Sequence, residues 1–450
     1  MIELSGRRVV VVGLGASGLA AARLCLGRGA RVVLTDRKAE AALTREARDA
    51  VAELASGGAE LALGGHSAAR IERADLVVVS PGVPSFAELL AAEAKGIPIV
   101  GEVELAASLL RHRAPIVAIG GTNGKSTTTS LAGAMFETAG LRTFVGGNLG
   151  EPLSTHVDET WDVVVLEVSS FQMERAPTFR PRVSILLNIT DDHLDRYASL
   201  DEYAHAKGNA FAQQTVDDLA VIPLDDAMCE RQARRGRGRV ATFGRGGDLD
   251  VTHDSIIDRR SRETFARADL AIEGEHNAVN AAAAIAAALE LGVTPDRIRA
   301  GLAAFRGLPH RMALVRELGG VRFYDDSKGT NVGASVTALR GLREPRAVLI
   351  AGGRDKGGSY EPLVLALREK GKAAILIGES RAAIARAIGD AVPVHEVLTL
   401  GEAVRLSHSI ATAGDAVLLS PACSSYDMFT DYKHRGDEFV REVHALVGSA

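Results

Sequence analysis

The chain has 450 residues, of which 46% are hydrophobic and 24% charged, and a formal net charge of −5. That length exceeds what one hydrophobic core holds and predicts roughly two to four domains, while the composition excludes disorder as the default. The charge balance excludes the broadly basic surface of a nucleic-acid binder, and the three unpatterned cysteines, Cys25, Cys229 and Cys423, argue against a disulfide framework or zinc site and fit a reducing cytoplasm.

The opening Met1-Ile-Glu-Leu-Ser-Gly-Arg-Arg puts basic charge before a valine run, as a signal peptide does, but glycines interrupt the run at once. Arg8 to Val12 reads as a buried strand leading into Gly13-x-Gly15-x-x-Gly18 and a helix, and Val32 to Asp36 as a second strand ending in an acid. This is the pattern of a dinucleotide-binding unit with Asp36 on a ribose hydroxyl, and equally of a tight turn holding another nucleotide's phosphates. Asp75 to Gly82 adds a strand whose Ser80-Pro81-Gly82 end forms a rigid turn where ligand-bearing strand ends lie. The first unit is expected to occupy 1–102.

A second unit, 103–307, opens with Ile116 to Ile119 as a strand, the loop Gly120-Gly-Thr-Asn-Gly-Lys-Ser126 and a helix with apolar periodicity over Ser130 to Ala139. Glycines 120, 121 and 124 let backbone N–H groups face an anion, Lys125 adds a mobile charge, and the Ser126 hydroxyl can reach a magnesium ion. The loop is a shortened P-loop, since Ile119 stands where the full Walker A pattern has glycine. Trp161 to Glu167 reads as a strand delivering a carboxylate to the same edge, followed by the hydroxyls and amide of Ser169, Ser170 and Gln172.

Arg182 to Thr190 reads as the next strand, running into Asp191-Asp-His-Leu-Asp-Arg-Tyr197, where His193 among three carboxylates fits either an oxygen-rich metal site or a polar loop. Glu202 to Gly208 is expected to be helical, and a lone Lys207 there is ordinarily a surface lysine. The basic stretch Arg231 to Arg239 reads as a solvated loop. Gly274-Glu-His-Asn-Ala-Val-Asn280 heads a long helix; capping accounts for one of His276, Asn277 and Asn280, and the others can present polar groups to a base or ribose. The alanine-rich segment 278–291 carries Asn280 and Glu290, and no apolar run approaches the roughly 20 residues needed to span a bilayer.

A third unit, 308–450, holds Leu308-Pro-His-Arg311, the alternating strand Val321 to Asp325 with the polar loop Asp326-Ser-Lys-Gly-Thr-Asn331, and strands at Arg346 to Gly352, Ala373 to Gly378 and Ala416 to Ser420. Each ends in a glycine-rich or polar loop. The expected fold class is α/β in three domains: Rossmann-like, then a central P-loop ATPase-type parallel sheet, then Rossmann-like again.

Together these segments resemble the Mur ligase family of ATP-dependent amide-forming enzymes. The resemblance rests on Gly13 to Gly18 with Ser80-Pro-Gly82, Gly121 to Thr127, Glu167 to Gln172, Asp192 to Tyr197, His276 to Asn280, Leu308 to Arg311, Asp326 to Asn331, Gly352-Gly-Arg-Asp-Lys356 and Ser420-Pro-Ala-Cys-Ser-Ser425. Within the family, the chain is most similar to the members that add D-glutamate to UDP-N-acetylmuramoyl-L-alanine.

The resemblance implies ATP and Mg2+ as cofactors and assigns roles by position. Gly121, Thr122, Asn123, Gly124, Lys125, Ser126 and Thr127, with Asn277, Asn280, Arg311 and Asp326, would bind ATP. Ser126 and Glu167 would hold one magnesium, and His193 with a carbamylated Lys207 a second; Lys125, Glu167, His193, Lys207 and Arg311 would be catalytic. Gly15, Ser17, Asp36, Arg37 and Gly82 would hold the UDP end of the substrate, and Asn148, Ser169, Gln172 and His193 would face its muramoyl-alanine side. Lys328, Thr330, Lys356, Ser425 and Tyr432 would take D-glutamate.

The implied reaction is transfer of the ATP γ-phosphoryl group to the alanyl carboxylate and attack of the D-glutamate amine on the resulting acyl phosphate, with the third domain closing on the second. The expected partners are these small molecules alone, with no nucleic acid and no membrane insertion, in a cytoplasmic monomer. A sister ligase adding another amino acid, a folylpolyglutamate synthetase, an NAD-dependent oxidoreductase and a non-catalytic P-loop nucleotide sensor are the alternatives. The first-unit glycine turn argues against the folate enzyme, and an oxidoreductase would leave Lys125, Ser126 and Glu167 without a role.

Overall fold

The computed structural model describes residues 2–194, 196–272 and 274–447. Asp195, one of the three carboxylates around His193, lies outside them. Three sheets carry the fold.

The first sheet runs β3-β2-β1-β4-β5 and is parallel throughout, with β1 at Arg8–Val12, β2 at Arg31–Asp36, β3 at Glu60–Leu63, β4 at Leu76–Val79 and β5 at Ile99–Gly101. Val9 to Val12 and Leu76 to Val79 are buried on both faces, which is why these strands read as unbroken valine runs. Strand order reverses between β1 and β4. The Gly13–Gly18 turn and Ser80-Pro-Gly82 therefore flank the crevice where such sheets bind ligands.

The central sheet runs β14-β13-β12-β11-β10-β9-β6-β8-β7. Its strands are β6 (Ile116–Gly120), β7 (Thr143–Gly147), β8 (Val163–Glu167), β9 (Val183–Leu186), β10 (Leu219–Pro223), β11 (Arg239–Gly244), β12 (Leu249–Val251), β13 (Ser255–Asp258) and β14 (Thr264–Ala266). From β7 to β12 the pairing is parallel, as expected, and an antiparallel extension through β13 and β14 is added at one edge. The helices Lys125–Thr138 and Glu275–Glu290 pack together over this sheet, the second through a run of fully buried alanines that lets the backbones approach.

The third sheet runs β15-β16-β20-β17-β18-β19, with β15 at Ala313–Leu318, β16 at Val321–Asp325, β17 at Ala347–Gly352, β18 at Gly371–Ile377, β19 at Val394–Glu396 and β20 at Ala416–Leu419. It is parallel except for the hairpin of β15 and β16.

Three local expectations are corrected. The strand expected to reach Thr190 ends at Leu186, because the following residues leave the ladder to brace the phosphate loop: Thr122 N–H donates to Asn188 O (2.9 Å) and Asn123 N–H to Asn188 Oδ1 (2.9 Å). The expected solvated loop at 231–239 begins inside the helix Ala227–Ala233 and ends in β11, and Arg235 is half-buried, bonded to Asn209 Oδ1 (2.5 Å). The helix Glu275–Glu290 is entered through Gly274 at φ 104°, so capping explains none of His276, Asn277 and Asn280.

Candidate active site

The phosphate loop joins β6 to the helix Lys125–Thr138, with Gly121 at φ 141° and Gly124 at φ 86°, a region L side chains rarely adopt. A Cβ on Gly124 would also lie 2.4 Å from Asn280 Oδ1, so the loop and the head of the alanine-rich helix touch through a bare backbone. Lys125 opens the helix and its Nζ donates to Gly121 O (2.9 Å) and Thr122 O (2.7 Å). Burial, only partly offset by Glu167 and Asp192, lowers its pKa.

Glu167 at the end of β8 is 2% exposed, and its carboxylate meets two donors, one of which is itself contacted by Arg311. Ser126 Oγ donates to its Oε2 (2.5 Å), Asn148 Nδ2 donates to its Oε1 (2.5 Å), and Arg311 Nη2 reaches Ser126 Oγ (2.7 Å). Burial raises the carboxyl pKa, but Lys125, Ser126, Asn148 and Arg311 outweigh it and hold the pKa below the ordinary value. No cluster of three or more His, Cys, Asp or Glu side chains suited to a metal exists among the described residues. A hydroxyl beside one ionised carboxylate nevertheless fits magnesium, which keeps several waters and usually takes one or two carboxylates plus substrate phosphates.

Lys207, expected locally at the surface, is 4% exposed on the helix Leu200–Ala212. Its Nζ donates to Gly121 O (2.7 Å) and lies 4.4 Å from the centre of the Tyr203 ring. Burial first, and the Lys125 charge second, drive its pKa well below the ordinary lysine value. His193, at φ 56°, packs its ring 4.8 Å from Phe171, which stacks on Tyr197. Of the carboxylates beside His193, Asp191 is exposed and Asp192 is buried.

Asp192 lies 3.6 Å from His193 Nε2 and also ties the second unit to the third: Asn331 Nδ2 donates to its Oδ2 (3.2 Å) and to Asn123 Oδ1 (3.1 Å), and Lys356 Nζ lies 3.4 Å from its Oδ1. Lys356 also reaches Thr330 Oγ1 (3.3 Å). Asp326 accepts from Ser420 Oγ (2.7 Å), and burial, against that bond and the Arg311 charge, pushes its pKa up to about 7. Lys328 sits 3.9 Å from the Tyr432 ring centre, and burial lowers its ammonium to about 8.

These side chains converge on one cavity of about 410 Å3 lined by both units. Thr122 to Thr127, Asn148, Glu167, Ser169, His193, Lys207, Asn277, Asn280, Arg311, Asp326, Lys328, Thr330 and Lys356 all line it. Four expected residues are not in its wall. Gly121 lies behind the loop, contributing its carbonyl to Lys125 and Lys207, and Gln172 is held in a capping box, its Oε1 accepting from Ser169 N–H (2.9 Å). Ser425 is buried, and Tyr432 supports Lys328 from below.

The expected UDP-binding residues form a separate group at the first sheet's crevice. Asp36 accepts from Leu14 N–H (3.0 Å) and Lys38 N–H (2.8 Å), and Ser80 Oγ donates to Gly13 O (2.8 Å). Gly18 is required by packing, because a Cβ there would lie 2.0 Å from Gly13 O. Gly15 and Gly82 have no such reason: their φ is ordinary and nothing lies within 4 Å of a built Cβ. Gly15, Arg37 and Gly82 are exposed and Ser17 is half-buried.

Residue reasoning missed Asn188, the aromatic faces of Phe171 and Tyr203, and Tyr426, which lines the cavity beside Ser425. Tyr203 was findable: it stands one helical turn before Lys207, on the same face.

Three family models match the chain in sequence order: the Mur ligase MurD-like N-terminal domain at 7–101, the Mur ligase middle domain at 119–288 and the Mur ligase glutamate ligase domain at 310–423. The UDP-N-acetylmuramoylalanine--D-glutamate ligase of Geotalea daltonii is 45% identical over 456 residues, covering 99% of both chains. That of Anaeromyxobacter dehalogenans is 46% identical over 458 residues, covering 98% of both. Among solved structures, the UDP-N-acetylmuramate-alanine ligase MurC of Thermotoga maritima shares the fold at a TM-score of 0.62 with 21% identity, over 98% of this chain and 99% of that one. The MurF ligase of Thermotoga maritima in complex with ADP does so at 0.60 with 18% identity, over 99% of both. With three domain models in order and full-length identity near one half, the chain belongs to the Mur ligase family.

Proposed function

We propose that this chain is an ADP-forming ligase that joins the amine of D-glutamate to the alanyl carboxylate of UDP-N-acetylmuramoyl-L-alanine, a step of peptidoglycan precursor synthesis. The observation that carries the reading is the single cavity in which Lys125, Ser126 and Glu167 of the second unit meet Arg311, Lys328 and Lys356 of the third. A carboxylate is a poor electrophile, so the reaction begins with its oxygen attacking the γ-phosphorus of ATP and ADP leaving. The D-glutamate amine then attacks the acyl carbon, loses a proton, and expels phosphate.

Both steps gather negative charge where the cations stand. Lys125 and the N–H groups of Gly124 to Ser126 face the phosphates, and Arg311, already on Ser126, reaches the same point from the opposite wall. Ser126 and Glu167 would hold a magnesium ion, which when bound neutralises phosphate charge. His193 and Lys207 would hold a second; the neutral amine of Lys207 is the form that reacts with carbon dioxide, and the carbamate gives an oxygen ligand. Lys328, Lys356 and Thr330 supply cations and a hydroxyl for the carboxylates of D-glutamate. The first-sheet crevice, with Gly15, Ser17, Asp36, Arg37 and Gly82, holds the UDP end. The three bodies, residues 1–102, 103–307 and 308–450, divide the work accordingly.

The test is phosphate release from ATP, magnesium and UDP-N-acetylmuramoyl-L-alanine across D-glutamate, L-glutamate, L-lysine, meso-diaminopimelate and L-alanine. Release with D-glutamate alone is expected. Use of another amino acid would make the chain a sister ligase, and ATP binding without release would leave only a nucleotide sensor.

A further inference from the structure

A second cavity, of about 930 Å3, lies at the edge of the central sheet opposite the phosphate loop, where Ile116, Arg182 and Asp218 mark the amino ends of β6, β9 and β10. The length of β6, about 15 Å, separates the two edges. The floor is apolar, with Leu110, Ala114 and Ile116 each at most 8% exposed. The rim carries five arginines, Arg28, Arg111, Arg113, Arg180 and Arg182, against two aspartates, Asp158 and Asp218. On a chain of net charge −5, such a concentration of positive charge stands out from the background.

The ion pairs leave this excess unspent. Arg28 takes both oxygens of Asp158 (2.7 and 3.1 Å) and Arg180 takes Asp218 (2.7 Å), while Arg182 shares the single Glu290 with Arg239. Among the described residues, the Arg111 guanidinium donates only to the Asp158 backbone carbonyl, at 3.4 Å, and feels the Asp158 charge without a salt bridge to it, and Arg113 forms no salt bridge. Both flank His112, and the backbone there is unusual: His112 (φ 60°) and Arg113 (φ 45°) are successive non-glycine residues in the left-handed region. Strain of this kind persists where the surroundings over-determine it and clusters at ligand clamps.

We propose that this cleft binds a phosphate-bearing small molecule, its apolar body on Leu110, Ala114 and Ile116 and its phosphate held by Arg111 and Arg113. Guanidinium groups match phosphate bidentately, and the volume suits a ligand of small-metabolite size. Because Arg28 belongs to the first unit and the other four arginines to the second, occupancy joins the two units at a point remote from the catalytic cavity.

The probe is phenyl phosphate, titrated calorimetrically into the full chain, into Lys125→Ala to remove phosphate-loop binding, and into Arg111→Ala/Arg113→Ala. Saturable binding is expected in the first two, with a 1:1 stoichiometry in Lys125→Ala. The double variant should bind about 100-fold more weakly, about tenfold for each guanidinium–phosphate hydrogen bond removed, with ligase turnover in the absence of probe unchanged. Arg113→Glu, a change at an exposed position, should weaken binding further. Absence of saturable binding, or equal affinity in the double variant, overturns the proposal. Inorganic phosphate binding as tightly as phenyl phosphate overturns the assignment of an apolar body.

Discussion

Arg311 stands 185 positions after Ser126, yet its Nη2 donates to the Ser126 hydroxyl at 2.7 Å, so an arginine of the third unit completes the phosphate loop of the second. A planar guanidinium spans that gap in a way a point-charge ammonium does not. Arg311→Lys should therefore lower kcat by about 100-fold or more with a smaller effect on the KM of the UDP substrate. Steady-state kinetics with each substrate varied in turn checks the split.

Lys328 loses its proton near pH 8, because burial lowers its pKa. With Lys328 as the proposed partner of the amino-acid carboxylate, that cation is lost as pH rises past this point, and the KM for D-glutamate should climb by roughly tenfold per pH unit. Lys328→Arg should move this limb to higher pH. The unfolded lysine keeps its proton to about pH 10.4, so the same shift makes stability rise with pH between about 8 and 10.

Asp326 retains a proton up to about pH 7, whereas an unfolded aspartate releases it near pH 3.8. Between those values the folded state binds the extra proton, so this group's contribution to stability falls as pH rises, and its cost is complete above pH 7. Asp326→Asn should raise Tm more at pH 8 than at pH 4 while lowering turnover, because the charge facing Arg311 is gone. Paired melting curves at the two pH values test the sign.

Two glycines of one turn should behave oppositely. Gly18→Ala forces a Cβ to 2.0 Å from Gly13 O and 2.5 Å from Ser80 Oγ, and should cost roughly 3 kcal/mol or more. Gly15→Ala meets nothing within 4 Å and should leave Tm unchanged, yet raise the KM of the UDP substrate by about tenfold where a ligand must approach the backbone. Equal melting losses in both would remove the ligand from the explanation.

Tyr426 is 67% exposed although it lines the catalytic cavity beside the buried Ser425. A large ring left uncovered at a cleft mouth gains most when a ligand covers it. Tyr426→Ala should raise the KM for the amino acid roughly tenfold with ATP kinetics unchanged, and Tyr426→Phe should retain the wild-type value.

Much of this was legible because it is local. Valine runs buried on both faces announce parallel strands, and in the turns after β1 and β6 Gly13, Gly18, Gly121 and Gly124 must be glycines for reasons of φ or close approach that any chain obeys. The order of motifs carried the family. What local pattern misjudged was burial and orientation: Lys207 reads as a surface lysine until the packing of its helix against the phosphate loop is known, and Asn188 lies in a stretch that reads as a strand.

By itself, the sequence determined three α/β units, a phosphate loop with an acid one strand away, and the ligase family. Only the tertiary structure decided that Asp192 faces Asn331 and Lys356, that Arg311 meets Ser126, and that Lys207 is buried beside Gly121 with a depressed pKa. The reason is physical: periodicity and turn chemistry act over a few residues, whereas a pKa and an interdomain hydrogen bond depend on which groups, hundreds of positions apart, the packed sheets bring within a few ångströms.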